Sequence, residues 1–206
     1  MMEGDLSMTA HVNEIADQCF YSLRKIKSIR PLLFTDAIVT LITRLICSWM
    51  DYCNTVFVFL PNSMIDRLQS VLHAAARVIT DGRKYDHITL TLRDELHWLP
   101  VMQRITFRLC LTVYKALHGM TPYIAELCRS VAAKHYRSRL HSATYGDLVV
   151  PQNHLEFGKR AFAVAGPTTW NNLLLSVWLA PSITTFKQHL KCIYSVLTMV
   201  RRNNND

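Results

Sequence analysis

Adjacent aspartates are missing from this 206-residue chain, and so is any glycine-rich phosphate loop. A polymerase clamps two divalent ions between carboxylates held a few ångströms apart, and no Asp-Asp pair is present to do so. The one adjacent acidic pair, Asp94-Glu95, falls in a short predicted helix beside polar residues and reads as a solvated face. Six glycines, none grouped, exclude nucleotide binding through a Gly-rich cradle. The nine histidines form no His-x-x-x-His pair and none stands at finger spacing from a cysteine, so neither a metal nor a cofactor is expected. The six cysteines, at 19, 47, 53, 110, 128 and 192, make no Cys-x-x-Cys pair. Most fall among apolar neighbours in predicted helices, which suits buried free thiols in a reducing compartment. No Asn-x-Ser/Thr sequon occurs. The first ten residues carry Glu3 and Asp5 and lack the basic start and apolar stretch of a signal peptide. The best candidate for a membrane span, Ile38 to Leu60, contains Arg44 and Asp51 and reads as a core helix. An intracellular protein, nuclear or cytoplasmic, without membrane contact is the expectation.

Half the residues are hydrophobic and 18% are charged, a globular composition. The net charge of +8 favours anionic partners, nucleic acid among them. Helical periodicity predicts helix A over Ala10 to Ile29, with Thr9 as cap and Pro31 as stop. Helix B is predicted from Thr35, as cap, to Phe57. Its apolar face holds Ile38, Leu41, Ile42, Leu45, Trp49, Cys53 and Val56; Cys47 falls on the polar face. Helix C is predicted from a Ser63 cap to Ile79, stopped by Asp81-Gly82. Helix D is predicted from Pro100, in its first turn, to His118, with Gly119 as the left-handed stop. Short helices are expected over Leu90–Leu96 and from Pro122 to Cys128. Leu148–Val150 and Lys159–Ala165 read as two strands, then a short helix over Pro167–Leu175 and a last one capped by Ser182. The chain therefore reads as mainly α, an antiparallel helical bundle with a small β element in the C-terminal third. Three parts are expected: a helical domain over 1–130, a basic linker over 131–147, and a small α+β segment over 148–206.

Two sets of basic residues are the candidate sites. On helix D, Arg104, Arg108 and Lys115 share one narrow arc, and a helix buried on its other sides could lay these cations along a phosphate backbone. Arg24, Lys25 and Lys27, with Arg30, crowd the end of helix A. Cations also suit a helix C-terminus electrostatically, so that cluster has a structural explanation too. A third cluster, Lys134 to Arg139, includes Tyr136 as a stacking candidate. Trp98, Trp170 and Trp178 could stack bases, although tryptophans at such junctions are more often core pins; Trp178 is expected to be exposed. Asp66, Ser70, His73 and Arg77 fall on one stripe of helix C and have the composition of a hydrolase triad. Ser70 sits mid-helix with no nucleophile elbow, so the stripe reads as a polar helix face.

Three short blocks occur in order: Arg83-Lys84-Tyr85-Asp86-His87-Ile88-Thr89, Leu96-His97-Trp98-Leu99-Pro100-Val101 and Tyr114-Lys115-Ala116-Leu117-His118-Gly119. With Asp51-Tyr52-Cys53-Asn54, Leu148-Val149-Val150-Pro151, Arg160-Ala161-Phe162 and Trp170-Asn171, they resemble the C-terminal region of LINE-type (non-LTR) retrotransposon reverse transcriptases of the jockey and chicken-repeat group. Leu90, Leu174 and Trp178 depart from that pattern. The resemblance implies a thumb-like bundle and the segment that follows it, truncated before the catalytic palm. It implies a non-catalytic piece of an RNA-directed DNA polymerase, not an enzyme in itself, that contacts RNA or an RNA/DNA hybrid. It also implies apolar surface left by the absent palm, through which the chain would self-associate. The alternative is an inert relic or a protein-interaction module without nucleic-acid affinity.

Overall fold

The computed structural model describes residues 8–52, 54–83, 85–131, 146–153, 155 and 158–203, with side chains to residue 194. Residues 132–145, which hold the Lys134–Arg139 cluster and most of the expected linker, lie outside the described residues, as does Cys53. The fold is mainly helical, with nine α-helices among the described residues. No helix among them is long and apolar enough to cross a membrane. The chain divides into two units, one of residues 1–54 and 60–104, the other of 55–59 and 105–206. The expected boundary at residue 130 falls within the second.

The first unit is built on α1 (Thr9–Ile29) and α4 (Asn62–Thr80), which pack against each other. Val12, Ile15, Ala16, Cys19, Leu23 and Ile26 recur at helical spacing and bury one side of α1. Ile65, Leu68, Val71, Leu72, Ala75, Ala76, Val78 and Ile79 do the same for α4. Between them run α2 (Thr35–Ile42), a wide π-type turn (Thr43–Cys47) and α3 (Ser48–Asp51). The predicted helix B ends early, because Tyr52 adopts an extended backbone. A separate 3-10 turn covers Asn54–Phe57.

The π-type turn also corrects the predicted buried face. Its ladder runs i to i+5, so the face beyond it advances by about one residue. Ile38 and Ile42 are buried as expected, but then Ile46, Cys47 and Met50 turn inward, while Leu45, Trp49 and Val56 are exposed.

Three expected caps fail in the same way. Met8, Phe34 and Pro61 hold the cap positions of α1, α2 and α4, without side-chain cap bonds, and the first two helices begin on Thr9 and Thr35 themselves. α4 begins one residue before Ser63. Its C-terminus turns on Asp81, whose φ is 58°, and the Gly82 amide donates to the Arg77 carbonyl at 3.0 Å. Arg30 covers this end: its guanidinium donates to the Val78 and Ile79 carbonyls (2.9 and 3.2 Å) and pairs with Asp81 at 3.1 Å. A second wide turn, Thr91–Glu95, stands where the short helix was expected.

α5 (Val101–Leu117) starts one residue after Pro100. The Gln69 side chain accepts the Val101 amide at 2.9 Å. The helix ends at Gly119, whose φ of +71° is open to glycine at little cost, and the Met120 amide reaches back to the Lys115 carbonyl at 2.9 Å.

The second unit holds most of α5, then α6 (Pro122–Ala125), α7 (Phe162–Asn171), α8 (Leu175–Trp178) and α9 (Ile183–Asn203). Ser182 caps α9 as expected, accepting the Thr185 amide at 3.1 Å. The two predicted strands are not found among the described residues. Lys159–Ala165 is a 3-10 turn running into α7. α7 lies close to α5: a Cβ on Gly166 would meet the Phe162 ring at 3.1 Å and Val113 at 3.2 Å. Leu148 makes only an isolated antiparallel bridge with Ser130. The Asn171 carboxamide takes the place of a further strand, donating to the Leu148 carbonyl and accepting its amide, both at 2.9 Å.

The core of this unit is an aromatic ladder. Tyr114 stacks between His118 and Phe186, with centroids at 3.9 and 4.3 Å, and Trp170 lies 5.9 Å beyond Phe186. The Tyr114 hydroxyl donates to the Ala180 carbonyl at 3.2 Å. Trp178, expected to be exposed, stacks on Trp170 at 6.0 Å and donates its indole N–H to the Trp170 carbonyl.

Candidate nucleic-acid interface

Burying one stripe of α1 against α4 decides where the flanking cations go. Arg24 and Lys27 are three residues apart, hence neighbours on the helix surface, just outside the buried Leu23 and Ile26. Both line a groove of about 310 Å³ between α1 and α4. Arg77 of α4 lines the same groove, with Phe20, Ala74 and Gly82. One guanidinium nitrogen of Arg77 donates to the Asp86 carbonyl at 3.2 Å. Its Nε is buried and, among the described residues, meets no acceptor. An unmade hydrogen bond on a buried charged donor is costly.

The other expected cations are placed differently. Lys25 turns away, and its Nζ lies 4.6 Å over the Tyr21 ring. Arg30 is committed to the end of α4. Arg104, in the first unit, is held on three sides. Its Nε donates to the Leu99 carbonyl at 2.9 Å, one Nη reaches both Asp51 carboxylate oxygens at 3.2 Å, and the guanidinium sits 5.8 Å over the Trp98 ring. Arg108 and Lys115 belong to the second unit, where Arg108 is exposed and Lys115 half-buried. The structure thus brings Arg24 and Lys27 together, and leaves Lys25 and Arg104 of the same unit out of that grouping.

Arg77 was missed as part of the site because the sequence places it on a mixed polar stripe. Only the pairing of α1 with α4 turns it toward Arg24 and Lys27. The rest of that stripe is accounted for locally. Ser70 donates its hydroxyl to the Arg67 carbonyl at 2.6 Å. The His73 ring bonds Gln69 at 2.9 Å. Burial, helped by the Arg77 charge, moves the His73 pKa below its ordinary value. Among the described residues no three of His, Cys, Asp and Glu converge to hold a metal. Burial pushes the Cys19 thiol up to about 11 and the Cys110 thiol up to about 12. Raised this far, both stay protonated and unreactive at neutral pH. The chain matches no family model, no curated protein and no solved structure.

Proposed function

We propose that the chain is a non-catalytic C-terminal piece of a retrotransposon-type RNA-directed DNA polymerase that contacts RNA or an RNA/DNA hybrid. In this reading the helices of the first unit act as the thumb-like bundle, and the basic groove is the phosphate contact. The observation that supports it is the meeting of Arg24, Lys27 and Arg77 around one groove. Phosphate oxygens are the acceptors such a cluster fits.

Fluorescence anisotropy with a labelled RNA hairpin and an RNA/DNA hybrid, across a salt series, tests the reading. Binding should weaken with salt. Arg24→Gln, Lys27→Gln and Arg77→Gln should each flatten the log–log slope by about one. Lys25→Gln should change it less. Binding that ignores salt, or no binding, would sink the proposal.

A second reading, self-association, rests on the turn between α1 and α2. Leu32 and Phe34 there are 83% and 88% exposed. Large apolar side chains this open suit contact with a second copy. Sedimentation should show a dimer that Leu32→Glu with Phe34→Glu dissolves; a wild-type monomer at high concentration refutes it.

A further inference from the structure

A second groove, of about 430 Å³, opens on the other side of α1. Its α1 residues, His11, Glu14 and Gln18, lie about half a turn round the helix from Arg24 and Lys27. Ser48, Trp49 and Tyr52 form its opposite wall. In a chain of net charge +8, none of the described residues lining this groove is lysine or arginine, and one is a carboxylate. Trp49 is half-exposed and Tyr52 is 77% exposed, so much of each side chain is open to solvent.

The polar groups of the walls add to this bias. Ser48 spends its hydroxyl proton on the Arg44 carbonyl, which leaves its oxygen as an acceptor. Gln18 donates one amide hydrogen to Glu14 at 3.3 Å, and its own carbonyl oxygen is a further acceptor. A carboxylate, a hydroxyl oxygen and a carboxamide oxygen beside two electron-rich rings give the groove one negative charge and several acceptors, which suits a cation that also donates.

We propose that this groove binds the guanidinium of an arginine side chain carried by a polypeptide partner. A guanidinium is planar, so it stacks on an indole or phenol face, and its five N–H groups meet the acceptors. A trimethylammonium has the charge but no N–H to give. An apolar side chain would fill the space and cover the Glu14 carboxylate without bringing it a donor. A nucleic-acid phosphate would meet the carboxylate and neither lysine nor arginine in these walls. The proposal is independent of the nucleic-acid reading, which concerns the opposite side of α1.

The test is an NMR titration of the full chain at pH 8, following the Trp49 indole N–H, assigned through Trp49→Phe. The ligands are acetyl-Gly-Arg-Gly-amide and its norleucine and trimethyl-lysine counterparts. The arginine peptide should give a saturable shift, and both counterparts should bind at least about fivefold more weakly. Glu14→Gln, an exposed and conservative change, should weaken the arginine peptide about tenfold with an unchanged circular dichroism spectrum. Equal binding of norleucine would show a merely apolar groove and overturn the proposal. Equal binding of trimethyl-lysine would overturn the need for N–H donors. No shift at tens of millimolar arginine peptide would overturn it outright.

Discussion

Removing the Arg104 side chain should cost the first unit far more than an ordinary surface substitution. Its side chain is 14% exposed and that of Asp51 26%, so water screens the pair only in part. Arg104→Ala deletes the charge-assisted bond to the Leu99 carbonyl and the contact with Asp51, and lifts the cation from the Trp98 ring. A hydrogen bond to a charged group contributes about 1.5–3 kcal/mol. A partly exposed cation–π contact adds about 0.5–1 kcal/mol. The expected loss is therefore about 2–4 kcal/mol in urea unfolding followed by far-UV circular dichroism. A double-mutant cycle with Asp51→Ala isolates the ion pair, whose coupling should be about 1–2 kcal/mol at this burial. Coupling below about 0.5 kcal/mol would equal that of an exposed pair and refute the reasoning. The salt slope of RNA binding, measured at a temperature where the variant stays folded, should be unchanged. A flattened slope would return Arg104 to the interface.

Asp81→Val and Asp81→Gly both delete the Arg30 partner, so their difference reports the left-handed backbone alone. The valine variant should be less stable by about 1–2 kcal/mol in the same urea assay. Ser182→Ala should cost about 1 kcal/mol by removing the α9 cap, read from the thermal midpoint of the second unit. Alkali should destabilise both units through their buried thiols. Cys19 and Cys110 are pushed from 9.0 to about 11 and about 12, so the folded state holds protons that the unfolded chain releases above pH 9. That stability is complete below pH 9 and is lost as pH rises toward the folded values. Each thiol should contribute its own fall in stability within its window. Cys19→Ala should remove that share in the first unit; an unchanged slope would refute the assignment.

The long helices were legible in the sequence because their apolar residues recur at helical spacing over many turns. Val12 to Ile26 in α1 and Ile65 to Ile79 in α4 leave little choice. The wide turn was not legible, since nothing in Thr43–Cys47 announces an i to i+5 ladder; tertiary packing of Ile46, Cys47 and Met50 selects it. The caps misled because Thr9 and Thr35 suit a cap or a first turn equally well, and backbone entry at Met8 and Phe34 decided. Lys159–Ala165 was read as a strand after a turn near Gly158, and the next helix was started at Pro167. Yet Gly166, inside α7, is what lets that helix approach Val113 of α5. Of the candidate site, the α1 cations were visible, whereas Arg77 and Trp49 needed to be seen across from their partners.

The wide turn makes the surface beyond it tolerant of chain length. A chain one residue shorter within Thr43–Cys47 could close an ordinary α ladder there. The residue removed is the one the wide turn holds in excess, so Ile46 and Met50 would keep facing inward and the Trp49 indole would keep its present bearing. Closing an α ladder with no residue removed would instead swing that indole by about 100° and dismantle the aromatic wall of the second groove. Trp49 emission in the deletion variant should therefore stay close to that of the wild type.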